Sequence, residues 1–275
     1  MTTLESFDRP LFLVGCGNMA GAMLARWLDR GLRRNLITVL RPSGRAVGED
    51  IAVVSAFPSV LPENALVMLG MKPQQLADVA PVLERLWRKD ILLVSLLAGV
   101  TVRRLDMALG GAGDAAIVRV MPNMPVALGK GVCAAFASTA ADVPGQSIVE
   151  RLLAPLGLVE WLDDESGFNL VTALAGCGPA YLYRFVDTLA AAAAALGMEQ
   201  DRAARLALAT VEGAAALAAS GDVDPGTLAD RVASKGGMTR EGLDVMDEGD
   251  RLLSLMTDVL RAARDRGEEL DRLSG

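Results

Sequence analysis

Histidine is absent from this chain, which excludes several familiar kinds of active site. Without it there is no Ser-His-Asp triad, no histidine general base and no histidine metal ligand. The three cysteines, Cys16, Cys133 and Cys177, lie far apart and form no C-x-x-C pair that would indicate zinc or redox chemistry. We therefore predict no metal site, and we expect the chemistry to come from a bound cofactor and from residues that position a substrate.

The sequence also has no long apolar run and no basic charge balance, and we expect no signal peptide at its start. No stretch approaches the roughly 18 apolar residues that a membrane span needs, and the polar first residues include Glu5 and Asp8. The formal net charge of -7 argues against a nucleic-acid partner, which would favour a basic face. We expect a cytoplasmic protein with neither a nucleic-acid nor a membrane partner, and 275 residues are enough for two domains.

Short apolar segments alternate with amphipathic helical patterns over residues 1–163. This alternation predicts βαβ units and an α/β domain with a mostly parallel sheet. The strand signal stops near Asp164, so residues 164–275 are predicted to form a second, all-helical domain. The predicted strands are 11–14, 36–40, 65–69, 91–95, 116–121, 131–135 and 158–162, and the predicted helices are 20–30, 74–87, 143–156, 179–196, 200–219, 225–233 and 240–270.

The first predicted strand, Leu11–Val14, runs into the glycine-rich segment Gly15-Cys16-Gly17-Asn18-Met19-Ala20-Gly21-Ala22. Gly15 would allow a tight turn, Gly17 would let a pyrophosphate approach the backbone, and the helix N-terminus would favour its charge. Ala20 or Ala22 would let helix and strand pack closely. Such turns also occur in ordinary strand-to-helix connections, but this one indicates a Rossmann-type dinucleotide-binding domain over residues 1–163.

The end of the second predicted strand indicates which dinucleotide is bound. An NAD site usually places Asp or Glu about twenty residues after the glycine turn, where it binds the ribose hydroxyls. This chain instead has Arg41, Ser43 and Arg45, which suit a 2′-phosphate. We therefore predict NADP, with NADPH preferred over NADH; the alternative is an ordinary solvated surface loop.

Further segments with defined order and spacing run along the rest of the chain. They are Met71-Lys72-Pro73-Gln74, Ser95-Leu96-Leu97-Ala98-Gly99, Arg119-Val120-Met121-Pro122-Asn123-Met124-Pro125, Ala175-Gly176-Cys177-Gly178-Pro179-Ala180-Tyr181 and Ser234-Lys235-Gly236-Gly237-Met238-Thr239. Together with the glycine turn they resemble the pyrroline-5-carboxylate reductase family, over essentially the whole chain.

The resemblance implies NAD(P)H-dependent reduction of 1-pyrroline-5-carboxylate to L-proline, the last step of proline biosynthesis. It also implies an all-α dimerisation domain that intertwines between subunits, and hence a homodimer or a higher homo-oligomer. The implied cofactor-binding residues are Gly15, Gly17, Asn18 and Met19 at the pyrophosphate, Lys72, Pro73, Ala98 and Gly99 at the ribose and nicotinamide, and Asn123 near the nicotinamide. The implied substrate-binding and catalytic residues are Ser234, Gly236, Gly237 and Thr239, with Thr239 at the ring nitrogen.

The chemistry of such a substrate agrees with the composition. A protonated imine is already an electrophile, so hydride addition needs no strong enzymic base and no histidine. The substrate carboxylate needs donors, which a Gly236-Gly237 turn that opens a helix supplies through backbone N–H groups.

Each implied residue also has a structural alternative. Thr239 would serve equally as the N-cap of the final helices. Lys72 would be an ordinary solvated lysine at a strand end, and Asn123 would fix a turn between two prolines.

Two rival functions stay open from the sequence. One is an NADPH-dependent reductase of another cyclic imine, and the other is a non-catalytic NADP-binding regulator. The chain also departs from the usual family pattern at Ala175, Cys177, Lys235 and Met238, which leaves efficiency and substrate identity to be tested.

Overall fold

The computed structural model describes residues 3–274, which divide by their contacts into two compact units. The first unit runs up to Cys177 and is joined by the residues from Ala263 onward, while the second spans Gly178–Ala262. Sequence patterns placed the domain boundary at residues 163 and 164, where the strands end. By their contacts, residues 165–177 belong to the first unit. The boundary at residues 163 and 164, which is based on where the strand pattern stops, remains a prediction.

The first unit is built on one sheet, which has eight strands within the described residues, in the order β3-β2-β1-β4-β5-β6-β7-β8. All neighbouring strands are parallel except β6 and β7, which are antiparallel. This confirms the predicted α/β fold with a mostly parallel sheet. The strands are β1 (Leu11–Val14), β2 (Ile37–Leu40), β3 (Ala52–Val54), β4 (Leu66–Leu69), β5 (Leu92–Ser95), β6 (Ile117–Pro122), β7 (Gly131–Ala137) and β8 (Gly157–Trp161).

Helices cover both faces of this sheet, and β1 shows how the two cores arise. Its side chains alternate, with Leu11 and Leu13 in one apolar cluster and Phe12 and Val14 in the other. The first cluster includes residues of α1 and α4, and the second includes residues of α2 and α3. The helices of this unit are α1 (Asn18–Asp29), α2 (Leu76–Leu86), α3 (Val102–Ala108), α4 (Val143–Leu153) and α5 (Phe168–Val171).

The second unit is helical, as the sequence predicts. Its helices are α6 (Gly178–Ala195), α7 (Gln200–Ala219), α8 (Pro225–Val232), α9 (Met238–Asp247) and α10 (Arg251–Ser274), the last of which extends into the first unit from Ala263 onward. The helical pattern predicted over residues 240–270 corresponds to two helices, because Gly249 has φ +64° and separates α9 from α10. A left-handed residue cannot continue a right-handed helix, and glycine adopts that conformation without a steric penalty.

The second unit has many large apolar side chains exposed on its helices. No residue of α6, α8 or α9 is buried. Many exposed large apolar side chains on one unit are typical of a surface that another protein covers. These side chains include Leu182, Tyr183, Phe185, Leu189, Leu206, Leu208, Leu217, Val245, Leu253 and Leu255. Within residues 3–274, no helix has both the length and the apolar character that a membrane crossing requires.

Candidate dinucleotide site and substrate loop

A cavity of about 580 Å³ lies at the carboxyl ends of the central strands. β1 pairs with β2 on one side and with β4 on the other, so the strand order reverses there, and open α/β sheets bind ligands at such a point. The lining includes six of the predicted cofactor residues: Gly15, Gly17, Asn18, Met19, Arg41 and Lys72. It also includes residues that sequence reasoning did not assign: Val14, Cys16, Leu40, Pro42, Gly70, Met71, Gln75 and Val79.

Gly15 makes the turn out of β1 possible. Its φ of +84° is in the left-handed region, and its N–H donates to the Leu40 carbonyl oxygen at 3.0 Å. A Cβ at this position would lie 3.0 Å from the Cα of Met71. Both the backbone conformation and the close approach therefore require glycine.

The N-terminus of α1 opens at this cavity. Gly17 is its N-cap residue and supplies no side-chain cap, and the first helical residues, Asn18 and Met19, line the cavity. The first N–H groups of a helix lack intrahelical partners, and the helix dipole favours an anion beside them. The cavity therefore has the donors and the field that a pyrophosphate needs.

Of the two alanines predicted to allow close packing of helix and strand, Ala20 and Ala22, it is Ala20 that packs against the strand ends. Ala20 is buried, and a Cβ at Gly70 would lie 2.9 Å from the Ala20 Cβ. The same Cβ would lie 3.0 Å from the Gly15 carbonyl oxygen. Gly70 was not singled out from the sequence, although it directly follows β4 as Gly15 follows β1.

The loop after β2 brings Arg41 to the cavity but leaves Ser43 outside its lining. Ser43 and Arg45 are exposed, and the Arg45 backbone N–H donates to the Ser43 hydroxyl at 3.4 Å. Burial raises the pKa of the Cys16 thiol in the cavity wall, and the positive charge of Arg41 partly offsets this. Arg41 is therefore the member of the predicted phosphate-binding set that lies at the cavity.

Lys72 and Pro73 begin the short 3₁₀ turn Pro73–Gln75 that leads from β4 towards α2. The Lys72 backbone N–H donates to Gln75 Oε1 at 3.0 Å, which fixes the turn. Lys72 is exposed and lines the cavity, whereas Pro73 does not line it.

Ala98 and Gly99 lie on the turn between β5 and α3 rather than in the cavity wall. Because β5 is parallel to β4, this turn leaves the same edge of the sheet as the cavity residues. Ser95 is buried, and its hydroxyl accepts the Leu97 N–H at 3.3 Å. Gly99 has φ +68°, so the turn includes a residue in the left-handed backbone conformation.

Asn123 is 7% exposed and cross-links two segments of the first unit. Its Nδ2 donates to the Ala175 carbonyl oxygen at 2.9 Å, and its Oδ1 accepts the Val132 N–H at 2.8 Å. Ala175 lies in a π-helical turn, Thr172–Gly176, which directly follows α5. The side chain therefore holds the end of β6 against this turn, and its predicted approach to a nicotinamide remains a proposal.

We expect Asn123→Asp to destabilise the fold by about 1–3 kcal/mol, because it places a carboxylate against the Ala175 carbonyl and removes a buried donor. Urea unfolding would measure the change. Asn35→Asp, at an exposed position, is the matched control and should leave the free energy of unfolding unchanged. Equal stability of the two variants would show that the cross-link contributes nothing.

In the Ser234–Thr239 segment of the second unit, Ser234–Gly237 connect α8 to α9, and Met238 and Thr239 begin α9. The sequence predicts that the backbone N–H groups of Gly236 and Gly237 are free donors, but that of Gly237 is already hydrogen-bonded. Gly236 has φ +67°, and the Gly237 N–H already donates to the Ser234 carbonyl oxygen at 3.0 Å. A Cβ at Gly237 would lie 2.5 Å from the Ser234 hydroxyl oxygen. Gly237 thus shapes the turn, and the N–H groups that lack intrahelical partners are those of the first residues of α9.

Thr239 is not an N-cap. Gly237 is the N-cap of α9, so Met238 is the first helical residue and Thr239 the second, and the Thr239 side chain is exposed. The capping alternative for Thr239 is therefore wrong. An ion pair between Arg240 Nη2 and Asp230 Oδ1, at 2.7 Å, joins α9 to α8 and fixes the ends of the loop.

A parallel sheet with strand order 3-2-1-4-5-6, a cavity at its switch point and an uncapped helix after a glycine turn define a Rossmann-type nucleotide-binding protein. Comparisons with known proteins then identify the family. The sequence model for pyrroline-5-carboxylate reductase dimerisation matches residues 165–270. Curated relatives named pyrroline-5-carboxylate reductase, from Vibrio alginolyticus and Pisum sativum, are 32% and 34% identical over 96% and 94% of this chain, and over 98% and 95% of their own lengths.

Solved structures agree with the sequence relatives. A pyrroline-5-carboxylate reductase from Coxiella burnetii matches with a TM-score of 0.85 at 29% identity, over 95% of this chain and 98% of that one. The Plasmodium falciparum pyrroline carboxylate reductase, solved with NADP bound, shares the fold with a TM-score of 0.80 at 21% identity, over 96% of this chain and 98% of that one. The chain belongs to the pyrroline-5-carboxylate reductase family, which confirms the resemblance seen in the sequence.

Proposed function

We propose that this chain reduces 1-pyrroline-5-carboxylate to L-proline with a reduced nicotinamide dinucleotide. The observation that carries the proposal is the similarity, over nearly the whole chain, to relatives that bear the name of this activity. The geometry of the first unit agrees with it, because the glycine turn and the open N-terminus of α1 suit a dinucleotide.

The residues present fit such a cofactor. Backbone donors of α1 would hold the pyrophosphate, and the absence of a side chain at Gly15 and Gly17 leaves it room. Arg41, in the lining of the cavity, would bind a 2′-phosphate, which supports NADPH over NADH. When bound, the nicotinamide supplies the hydride.

The protein then has to orient the substrate more than activate it. The imine carbon accepts a hydride once the ring nitrogen carries a proton, and the C=N double bond becomes the C–N single bond of proline. No histidine is required, and this chain has none. Holding the reacting atoms about 3–3.5 Å apart in a fixed orientation contributes several kcal/mol to the rate.

The Ser234–Thr239 loop supplies the donors for that orientation. The opening N–H groups of α9 would bind the substrate carboxylate, where the helix dipole favours a negative charge. Gly236 and Gly237 give the loop the shape that exposes those groups, and Ser234 adds a hydroxyl. The exposed Thr239 hydroxyl would contact the ring nitrogen.

The direct test follows the absorbance of NADPH with and without pyrroline-5-carboxylate. Oxidation that depends on this imine and yields proline is the expected result. Oxidation with a different cyclic imine alone would favour the related reductase. NADPH binding without any turnover would leave a non-catalytic NADP-binding regulator.

We further propose that the exposed apolar helices of the second unit are covered by another copy of the chain, as the dimerisation name of the matching family model suggests. Folding and association are then coupled, so the free monomer should not be a stable, active species at micromolar concentration. Sedimentation or light scattering would measure the mass. A stable active monomer would contradict the proposal.

A matched pair of variants makes this test specific. Phe185, in α6, and Val60, in the first unit, are both large apolar residues with exposed side chains. We expect Phe185→Asp to dissociate the assembly, because it places a charge in an apolar interface. Val60→Asp should leave the mass unchanged.

A further inference from the structure

Arg119, in the middle of β6, is a buried cation: its side chain is only 3% exposed. Its Nη1 lies 2.9 Å from Glu165 Oε1, and its guanidinium carbon lies 4.0 Å from the centre of the Phe168 ring. A buried charge requires such partners, because its removal from water is otherwise strongly unfavourable. Arg119 therefore holds the segment that carries Glu165 and Phe168 against β6.

The same cation faces the C-terminal end of α10. Asp271 Oδ1 lies 4.0 Å from Arg119 Nη2, and Asp271 Oδ2 accepts a hydrogen bond of 2.7 Å from Asn169 Nδ2. Among the described residues, Arg119 Nε and Asp271 Oδ1 are buried without a hydrogen-bond partner. The carboxylate is thus retained by charge at one oxygen and by a hydrogen bond at the other.

Both carboxylates lie beside the segment that joins β5 to α3. A Cβ at Gly99 would lie 3.6 Å from Asp271 Oδ1 and 3.6 Å from Leu270 Cβ, so the end of α10 packs on the turn. Where the turn enters α3, the Val102 N–H donates to Glu165 Oε1 at 2.9 Å. Arg119, Glu165 and Asp271 together form what we call the Arg119 cluster.

We propose that Asp271 and Glu165 are positioning residues that hold the Ala98–Gly99 turn in the shape that receives the nicotinamide end of the cofactor. The inference rests on the proposed function, together with the family resemblance that implies Ala98 and Gly99 at the ribose and nicotinamide end of the dinucleotide. Neither carboxylate needs to touch the cofactor: each acts through the backbone of the turn. The last part of α10, outside the glycine-turn cavity, thereby becomes part of the cofactor site.

The charge balance of the cluster explains why Asp271 matters beyond its volume. One guanidinium faces two carboxylates, and Glu165 makes the closer contact. The Asp271 charge attracts the buried cation across 4.0 Å of partly desolvated space, where Coulomb interactions are stronger than in water. Asp271→Asn keeps the shape of the side chain and its contact with Asn169 but removes the charge attraction to Arg119. The end of α10 is then held less firmly beside the Ala98–Gly99 turn.

The test measures NADPH affinity by calorimetry, steady-state kinetics and amide hydrogen exchange on the full chain. We expect Asp271→Asn to weaken NADPH binding about tenfold and to speed exchange at the amides of residues 97–102, with the KM for the imine within about twofold, since a small displacement of a positioned group has effects of this size. Glu165→Gln, which removes the other carboxylate charge, should act in the same direction. Should one variant not fold, the other still decides.

Asp265→Asn is the matched control, because Asp265 is on the same helix and forms only an exposed pair with Arg264. If NADPH affinity and exchange in both test variants equal those of the control, the inference is overturned while the proposed function stands. If the native chain binds NADPH but does not reduce pyrroline-5-carboxylate, the proposed function fails, and weaker binding in the variants still supports the inference. A native chain that binds no reduced dinucleotide would overturn both.

Discussion

Thr239→Ala should lower kcat/KM for the imine by about one to two orders of magnitude and leave NADPH affinity unchanged. The variant removes one hydroxyl that we place at the ring nitrogen, and the loss of one orienting hydrogen bond has an effect of this size. Steady-state kinetics with pyrroline-5-carboxylate and direct titration with NADPH would separate the two quantities.

The backbone geometry makes this variant a clean probe. Gly237 is the N-cap of α9, so removal of the Thr239 hydroxyl deletes no helix cap. The opening N–H groups of α9 stay in place, and alanine is a good helix former at the second helical position. We therefore expect the melting temperature to stay unchanged, whereas loss of a true threonine cap costs about 1 kcal/mol.

Thr257→Ala provides the control. Thr257 is an exposed threonine in α10, and its hydroxyl donates to the Leu253 carbonyl oxygen at 2.8 Å. Its replacement should change neither the kinetic constants nor NADPH affinity. If Thr239→Ala behaves in the same way, the threonine has no part in substrate positioning.

The sheet could be predicted because its strands are apolar on both faces and are separated by amphipathic helices. Each predicted strand is present, with ends that agree to within two residues. The strand that was missed, β3 (Ala52–Val54), is three residues long and only partly buried at the edge, so it lacks the apolar run that marks the others. The break at Gly249 was missed for a different reason: a single glycine in a helical pattern is often tolerated, and its φ is set by the structure around it.

The cofactor cavity could be predicted in part, because a glycine turn after a buried strand is a local signal. Gly70 was missed although it also follows a strand, since its importance lies in its contacts with Ala20 and Gly15, which are distant in sequence. Asn123 illustrates the same limit: its partner Ala175 is 52 residues away. A sequence pattern shows which residue types stand at the end of a strand. It does not show which of their atoms are already hydrogen-bonded or closely packed, because those contacts are made with residues that are distant in sequence.

The second large effect concerns the choice of cofactor. Arg41 directly follows β2 and lines the cavity, and its backbone N–H donates to the Val54 carbonyl oxygen at 2.8 Å, which fixes its position beside β3. No acidic residue stands at the end of β2 to bind ribose hydroxyls. The native protein should therefore have a higher kcat/KM with NADPH than with NADH.

Arg41→Asp should remove or reverse this preference. The variant deletes a charge-assisted hydrogen bond to the 2′-phosphate, worth about 1.5–3 kcal/mol, or about ten- to a hundredfold in affinity. It also places a carboxylate where it repels the phosphate and accepts hydrogen bonds from ribose hydroxyls. The measurement is kcat/KM with each dinucleotide at saturating imine.

Arg45→Asp separates the local contact from the general loss of positive charge. Arg45 is exposed and lies outside the cavity lining, four residues along the same loop, so its replacement changes the net charge by the same amount. Screening by salt reduces the influence of such an exposed charge at a distance. We expect this control to shift the NADPH/NADH ratio by less than about threefold. If both variants shift the ratio equally, or if the native protein uses NADH as efficiently as NADPH, Arg41 does not bind a 2′-phosphate.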